Sequence, residues 1–172
     1  MHHENDFFTY VFRNLLYNNS TGIHLLSWDQ IGTRITNNTI IGTGVGIHLN
    51  HTNQSQLIEN NIITGVNHGV VMDNPGPNTL RNNLIYPSAG LTVTPFTSFG
   101  ANPILQNNLF GSTYDAKFIN PAAHDFRLQA GSSAINAGYP NGLASDLDGC
   151  ARSAGAGIDI GAYEYAPTCN SR

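Results

Sequence analysis

The sequence is poor in charged residues and almost without lysine. Asp, Glu, Lys and Arg make up 10% of the 172 residues, well below the ~25% usual in soluble domains. Lys117 is the single lysine, and the formal net charge is −4. Because no basic surface is available for a phosphate backbone, we expect no nucleic-acid partner. No apolar run approaches the ~18 residues of a membrane helix, so we expect no membrane insertion.

Cysteine is also scarce, with only Cys150 and Cys169, both near the C-terminus. This placement suits one disulfide closing a terminal loop better than a metal site. Two free thiols in a reducing compartment remain the alternative. The first residues have neither the basic segment nor the apolar stretch of a signal peptide. We therefore expect that a secretion signal is missing or that the chain begins within a larger gene product.

The sequence is rich in asparagine, with 22 residues, and the asparagines mark an internal repeat. Residues 35–40, 58–63, 80–85 and 105–110 read ITNNTI, IENNII, LRNNLI and LQNNLF, and a degenerate copy, VFRNLL, spans 11–16. The second Asn of each pair recurs after 24, 23, 22 and 25 residues, at Asn14, Asn38, Asn61, Asn83 and Asn108. A Gly that opens a short apolar segment recurs in phase with it, at Gly22, Gly46, Gly69 and Gly90. Such a period is typical of solenoids.

The pattern inside each copy favours short β-strands. Apolar residues alternate with other residues, as in Ile47, His48 and Leu49, whereas no helical period is present. Leucine-rich repeats have a similar period, but their leucine spacing and helical half are missing. The sequence therefore predicts an all-β solenoid of about four to five coils over residues 1–111.

The asparagine positions have a physical cause at a sharp corner between two strands. One residue of such a corner adopts a left-handed backbone, which Asn tolerates better than any residue except Gly. Asn side chains stacked in successive coils can also bond one another and the turn backbone, so that buried polar groups are satisfied. We therefore predict an asparagine ladder through Asn14, Asn38, Asn61, Asn83 and Asn108.

These coils resemble the right-handed parallel β-helix repeat of the pectate-lyase-like superfamily over about residues 11–111. The resemblance implies a right-handed parallel β-helix, and the general rule for parallel crossovers gives the same hand. Members of that superfamily act on polysaccharides, so the resemblance implies a polysaccharide lyase or a glycoside hydrolase. Neither the clustered carboxylates of a glycosidase nor the basic residue of a lyase is evident in the repeats.

The repeat ends at about Gly111, and a different sequence pattern follows. The phrases DFRLQAGSSAINAG (125–138), DLDG (146–149) and GIDIGAYEY (157–165) resemble, in order, the ending of choice-of-anchor Q type bacterial β-helix proteins. This resemblance implies a secreted or cell-surface location. Because a solenoid needs atypical ends, we predict that residues 112–172 form a β-rich cap on the last coil.

No comparable segment precedes the first coil. We therefore expect the chain to be the C-terminal part of a longer protein, with self-association at the uncapped N-terminal end as another way to cover the core.

The candidate site lies over the strand that follows the Gly marker, where grooves of the superfamily commonly lie. A histidine beside a carboxylate can act as a general base or acid near neutral pH. We predict His24, His48 and Asp73 as catalytic residues. The alternative is that polar residues point outward simply because the inside is full. The two predicted outward rows are His24, His48, Val71 and Thr92, then Leu26, Asn50, Asp73 and Thr94, with Asn50 and Thr92 as substrate-binding residues.

Two further pairs carry charge. Glu59 and Arg81 share an outward row, either as substrate-binding residues or as a structural ion pair. Asp146 and Asp148 precede a Gly, as at the start of a calcium loop, although the distant Glu of such a loop is missing. We therefore predict either a calcium site or a simple turn there, and no other cofactor.

Two functions stay open at this point. The first is an extracellular β-helix protein that binds or processes polysaccharide along the face bearing His24, His48 and Asp73. The second is a non-catalytic structural or adhesin-like surface module.

Overall fold

The chain folds as a parallel β-solenoid of about four turns followed by an antiparallel hairpin. The computed structural model describes residues 8–26, 32–42, 44–50, 55–73, 76–88, 90–152, 155–167 and 169. The predicted all-β parallel solenoid is thereby confirmed.

Three parallel sheets run along the solenoid, with five strands in each of the first two and four in the third, one from each successive coil. The first sheet holds β1 (Tyr10–Phe12), β4 (Arg34–Thr36), β7 (Leu57–Glu59), β10 (Thr79–Arg81) and β13 (Ile104–Gln106). The second holds β2 (Leu15–Tyr17), β5 (Thr39–Ile41), β8 (Ile62–Thr64), β11 (Leu84–Tyr86) and β14 (Leu109–Phe110). The third holds β3 (Thr21–Leu26), β6 (Val45–Asn50), β9 (His68–Met72) and β12 (Thr94–Ser98). A hairpin of β15 (Phe118–Asn120) and β16 (Asp125–Leu128) follows, joined through a 3-10 turn, Pro121–Ala123.

The core is a stack of aliphatic side chains, one set from each coil. Because alternate residues of a strand point to opposite faces, the register places equivalent apolar residues directly above one another. The fully buried members come from all three sheets: Ile35, Ile58 and Leu80; Ile40, Ile63 and Ile85; and Ile47, Leu49, Val70 and Met72.

The predicted asparagine ladder is confirmed at the corner between the first and second sheets. The amide of Asn38 donates to Asn61 Oδ1 at 3.0 Å, and the amide of Asn61 donates to Asn83 Oδ1 at 3.0 Å. Each of these oxygens also accepts the backbone N–H of the Asn one coil before. The ladder runs from Asn14 at one end to Asn108 at the other.

The two residues of each corner pair have different structural roles. The residue before the ladder position takes the left-handed backbone, with φ between 49° and 56° at Arg13, Asn37, Asn60, Asn82 and Asn107. The ladder residue itself supplies the side-chain hydrogen bonds. At the next corner, after the second sheet, Gly42 and Gly65 take positive φ instead.

The C-terminal segment packs along the side of the solenoid, which corrects the predicted cap on the last coil. Its apolar residues Leu128, Ala134 and Ile160 form a second core with Ile62 and Leu84, which the second sheet contributes. The corner residues that carry the left-handed backbone also bind this segment. Asn60 donates to Tyr139 O at 2.8 Å and accepts from Tyr139 N at 2.7 Å.

The last coil keeps an exposed end as a consequence. Leu105 occupies the inward position of β13 and is 46% exposed, whereas Leu80, its neighbour in β10, is 0% exposed. The segment covers the second sheet rather than this end because Ile62 and Leu84 make the outer face of that sheet apolar as well. A strand with apolar residues on both faces needs cover on both.

A disulfide and a buried charge cluster hold the C-terminal segment. Cys150 and Cys169 are bonded, with their Cα atoms 5.9 Å apart, which confirms the disulfide interpretation. Nearby, Arg152 Nη1 donates to Glu164 Oε1 at 2.8 Å and also approaches the carbonyl of Asp159. Burial is the main cause that raises the pKa of Glu164 from 4.5 to about 7, and burial also raises the pKa of Asp159.

We expect a large loss of stability when one central asparagine of the ladder is removed. We expect Asn61→Ala to lower the free energy of unfolding by at least about 3 kcal/mol, because it leaves several buried backbone and amide groups without partners. Urea unfolding with the disulfide intact measures this change. Asn102→Ala, at an exposed position, is the matched control and should change stability by less than about 0.5 kcal/mol. Equal stabilities of the two variants would contradict the structural role of the ladder.

Because the pKa of Glu164 is raised from 4.5 to about 7 in the folded protein, we expect the free energy of unfolding to fall as pH rises through this range. In that window the folded carboxyl keeps its proton while the unfolded chain has released it, so the contribution is lost as pH rises through the folded pKa. Unfolding free energies measured at several pH values test this slope. Glu164→Gln, which cannot titrate, should flatten it, and an unchanged slope in that variant would exclude Glu164 as the cause.

Candidate functional site

The outward face of the third sheet brings the predicted catalytic residues together. Ile23 and Leu25 point into the core, so His24 between them points outward. His48 lies beside His24 in register, and Val71 of β9 follows it. Asp73 comes directly after β9. Its backbone N–H donates to Leu49 O at 2.8 Å and so extends the hydrogen bonding of the third sheet by one residue.

The three side chains are in contact. The rings of His24 and His48 stack with centroids 4.6 Å apart and planes within 1° of parallel. His48 Nε2 lies 2.7 Å from Asp73 Oδ2, and their side chains are 23% and 30% exposed. Both groups therefore stay accessible to a ligand while the carboxylate holds the imidazole in one orientation.

This arrangement can move a proton. A carboxylate that bonds one ring nitrogen of a histidine fixes the orientation of the ring, and histidine is the usual general acid or base near neutral pH. His24 packs on one face of the His48 ring and so limits the rotation of that ring. Asp73 and His24 are thus positioned to hold His48.

The prediction that Thr92 continues the outward row of His24, His48 and Val71 into the fourth coil is wrong. Thr97 of β12 lies beside Val71, whereas Thr92 lies before β12 in an exposed segment. Seven residues separate β11 from β12, compared with three between β8 and β9, so the Gly at position 90 is not the equivalent of Gly69. Pro95 takes that place. Thr92 therefore lies outside the face that carries His48.

Asn50 lies where it was predicted, at the end of β6 beside Leu26. Phe99, which the sequence did not single out, continues the third sheet by bonding Met72 O at 3.0 Å, and its side chain is 75% exposed. An exposed Phe at the end of a strand is a signal that could have identified it. Leu26 and Phe99 place exposed apolar surface at either end of the row that holds Asn50 and Asp73.

Glu59 and Arg81 lie on the first sheet, away from the histidines. Nε and Nη2 of Arg81 both lie 2.7 Å from Glu59 Oε2, and the ring of Tyr139 covers the guanidinium at 3.6 Å. The Glu59 side chain is 1% exposed and that of Arg81 is 20% exposed. Glu59 is therefore a buried counter-ion that a ligand does not reach, and Arg81 is the accessible member of the pair.

Asp146 serves the C-terminal turn. Its two carboxylate oxygens accept the N–H groups of Cys150 at 2.7 Å and Glu164 at 2.8 Å. Asp148 is exposed two residues further on. Within the described residues, no group of three or more His, Cys, Asp and Glu side chains could hold a metal ion. Calcium at Asp146 and Asp148 stays a prediction.

From the ion pair of Glu59 and Arg81 we expect a measurable loss of stability when one charge is removed. Arg81→Ala should cost about 3 to 5 kcal/mol, because it leaves a buried carboxylate without its counter-ion. Urea unfolding measures this cost. The double variant Glu59→Leu, Arg81→Met removes both charges and should recover most of the loss, and a double variant as unstable as the single one would contradict this explanation.

Comparisons with known proteins agree with the fold. No curated protein and no solved structure matches the chain significantly. Across the described ranges, no helix is both long and apolar enough to cross a membrane. The family model described as "Periplasmic copper-binding protein (NosD)" matches residues 1–139, which is most of the chain. The chain therefore belongs to the NosD family.

Proposed function

We propose that this protein is a periplasmic or extracellular β-helix module that binds polysaccharide along the outward face of its third sheet. The observation that carries the proposal is the contact between His48 Nε2 and Asp73 Oδ2 at 2.7 Å, with His24 stacked on the same imidazole. The described disulfide fits an oxidising compartment outside the cytoplasm.

The shape of the face suits a long ligand. Side chains in equivalent positions repeat every ~4.8 Å from coil to coil, so a row of them presents contacts at regular intervals along the solenoid. Exposed apolar surface at Leu26 and Phe99 flanks the polar residues Asn50 and Asp73. Apolar and aromatic surfaces that pack against sugar rings, together with amide and carboxylate groups that bond hydroxyls, form a suitable binding set.

The same residues can process a bound glycan. In that role His48 takes the proton from the carbon next to a uronic acid carboxylate, the glycosidic C–O bond on the neighbouring carbon breaks as a C=C bond forms, and the leaving oxygen takes up a proton from water. Asp73 holds the imidazole through Oδ2, and Asn50 hydrogen-bonds the sugars beside them. The superfamily that the repeats resemble acts on polysaccharides, which supports this interpretation. The competing function is a stiff surface module whose outward histidines contact no ligand.

The family description names copper, and the described residues do not fit that ion. The lone pairs of an imidazole lie in its ring plane, so the parallel rings of His24 and His48 direct theirs side by side rather than to one point. His48 Nε2 is already engaged by Asp73. The thiols that copper would prefer are joined as a disulfide, and Met72 is fully buried in the core. No step of the proposed function involves copper.

The test uses pectin, alginate, chondroitin and xylan. We expect the chain to be retained on at least one of them in affinity electrophoresis, and His48→Ala to lose that retention. His68→Ala, an exposed histidine at the start of β9, is the matched control and should bind like wild type. Asp73→Asn should keep retention but lower the release of reducing ends or of unsaturated products, if the glycan is cleaved.

The outcomes separate the two functions. Turnover or retention that depends on His48 excludes the purely structural module. Failure to bind or cleave any of the four glycans, with the fold intact by circular dichroism, would overturn the proposal and favour the stiff surface module.

A further inference from the structure

The last coil of the solenoid has an open end that the proposed function does not use. The C-terminal segment leaves this end and runs back along the side of the solenoid, since Asn82 donates to Ala137 O and Arg13, in the first coil, donates to Ser145 O. Asn107 is the equivalent corner residue of the last coil, and among the described residues its side chain makes no such bond with the segment. The segment therefore leaves the end of the last coil uncovered.

The backbone at this end has hydrogen-bonding groups without a following coil. In an earlier coil the left-handed corner residue donates its N–H forward, as Asn82 does to Gln106 O at 2.9 Å. Asn107 lies in the last coil and has no next strand to bond. Because the backbone groups of alternate residues in a parallel strand bond the same neighbour, the N–H and C=O of Leu105 point to that open side as well. The edge strand β13 thus offers a donor and an acceptor from its central residue.

The apolar core also ends here. Leu105 points inward and is 46% exposed, whereas Leu80, its neighbour one coil earlier, is fully buried. Phe96 and Phe110 pack against the same core and are only half-buried, with ring centroids 6.3 Å apart. An exposed apolar surface of this kind marks an interaction site.

The end of the last coil is also free of charge. Residues 82–114 contain no Asp, Glu, Lys, Arg or His. Edge strands are commonly guarded by a charge or a proline, and β12 contains Pro95, but β13 (Ile104–Gln106) has neither. Although the whole chain has a net charge of −4, two such ends meet without charges facing one another. A second copy of the chain therefore matches this end in both charge and polarity.

We propose that this protein forms a symmetric dimer in which the open ends of two last coils meet. The β13 strands pair antiparallel about a two-fold axis beside Leu105, so that each Leu105 N–H donates to Leu105 O of the other copy. The two Leu105 side chains pack together and join the cores. Because the paired strands are only three residues long, this apolar contact supplies most of the affinity.

The dimer does not rest on the proposed function, because β13 belongs to the first sheet and His48 to the third. The contact also lies at the opposite end of the solenoid from the N-terminal end. Self-association at that N-terminal end, which the sequence led us to expect, is a separate contact and stays a prediction.

Sedimentation of the whole chain over a range of concentrations tests the dimer. We expect wild type to reach twice the mass of one chain. Leu105→Lys and Leu105→Glu should each raise the dissociation constant at least about tenfold, because like charges then face one another across the axis. An equal mixture of the two variants should dimerise again, since opposite charges meet, and misfolded variants would not recover in this way. Ile119→Lys, at a residue of β15 that is also 46% exposed, is the matched control and should dimerise like wild type.

Amide hydrogen exchange of wild type gives a second measurement that needs no variant. The Leu105 amide should exchange at least about tenfold more slowly at concentrations where the dimer dominates, whereas the amides of the β15 and β16 hairpin should not change. A wild type that stays monomeric up to about 0.1 mM, Leu105 variants that dimerise like wild type, or a mixture that stays monomeric would each overturn the proposal. Species larger than a dimer would also overturn it and indicate head-to-tail stacking instead.

Discussion

The hydrogen-bonded corner between the first and second sheets is the constraint on which this structure depends. Each ladder asparagine satisfies polar groups of the preceding coil, since its side-chain oxygen accepts both the side-chain amide and the backbone N–H of the ladder asparagine one coil before. Its amide also donates to carbonyls of two different coils, as Asn61 does to Ile35 O and Glu59 O. A coil shifted by one residue would lose all of these bonds at once. The ladder therefore fixes the register that stacks the core.

The same corner also attaches the C-terminal segment. The left-handed residue of each pair faces away from the core, so Asn37, Asn60 and Asn82 keep amide groups for the carbonyls of Asp159, Tyr139 and Ala137. An asparagine pair thus connects the stacking of the coils with the side cover of the second sheet. This explains why a chain with so little charge needs so much asparagine: its polar contacts are made by amides at a repeated position.

The sequence predicted what repeats and failed where the repeat changes. The period placed His24, His48 and Asp73 on one face because parity within a strand decides which side a residue faces. Thr92 was misplaced because an insertion before β12 moved the register while a Gly remained at position 90. The position of the C-terminal segment was not predictable, since apolar Ile62 and Leu84 look like core residues whichever face they occupy. The contact of Tyr139 with Arg81 joins distant parts of the chain and carries no local signal.

Family membership and function draw on different residues of this fold. The family match spans residues 1–139, which include all of the coils, and the coils depend on inward aliphatic residues and corner asparagines. The residues of the proposed site, His24 and His48, occupy outward positions and take no part in the asparagine ladder. Chains with the same corners can therefore carry different chemistry on their sheets. For this chain, the contact between His48 and Asp73 on the third sheet therefore has to be tested by itself, because the corner repeat that carries the family match does not require it.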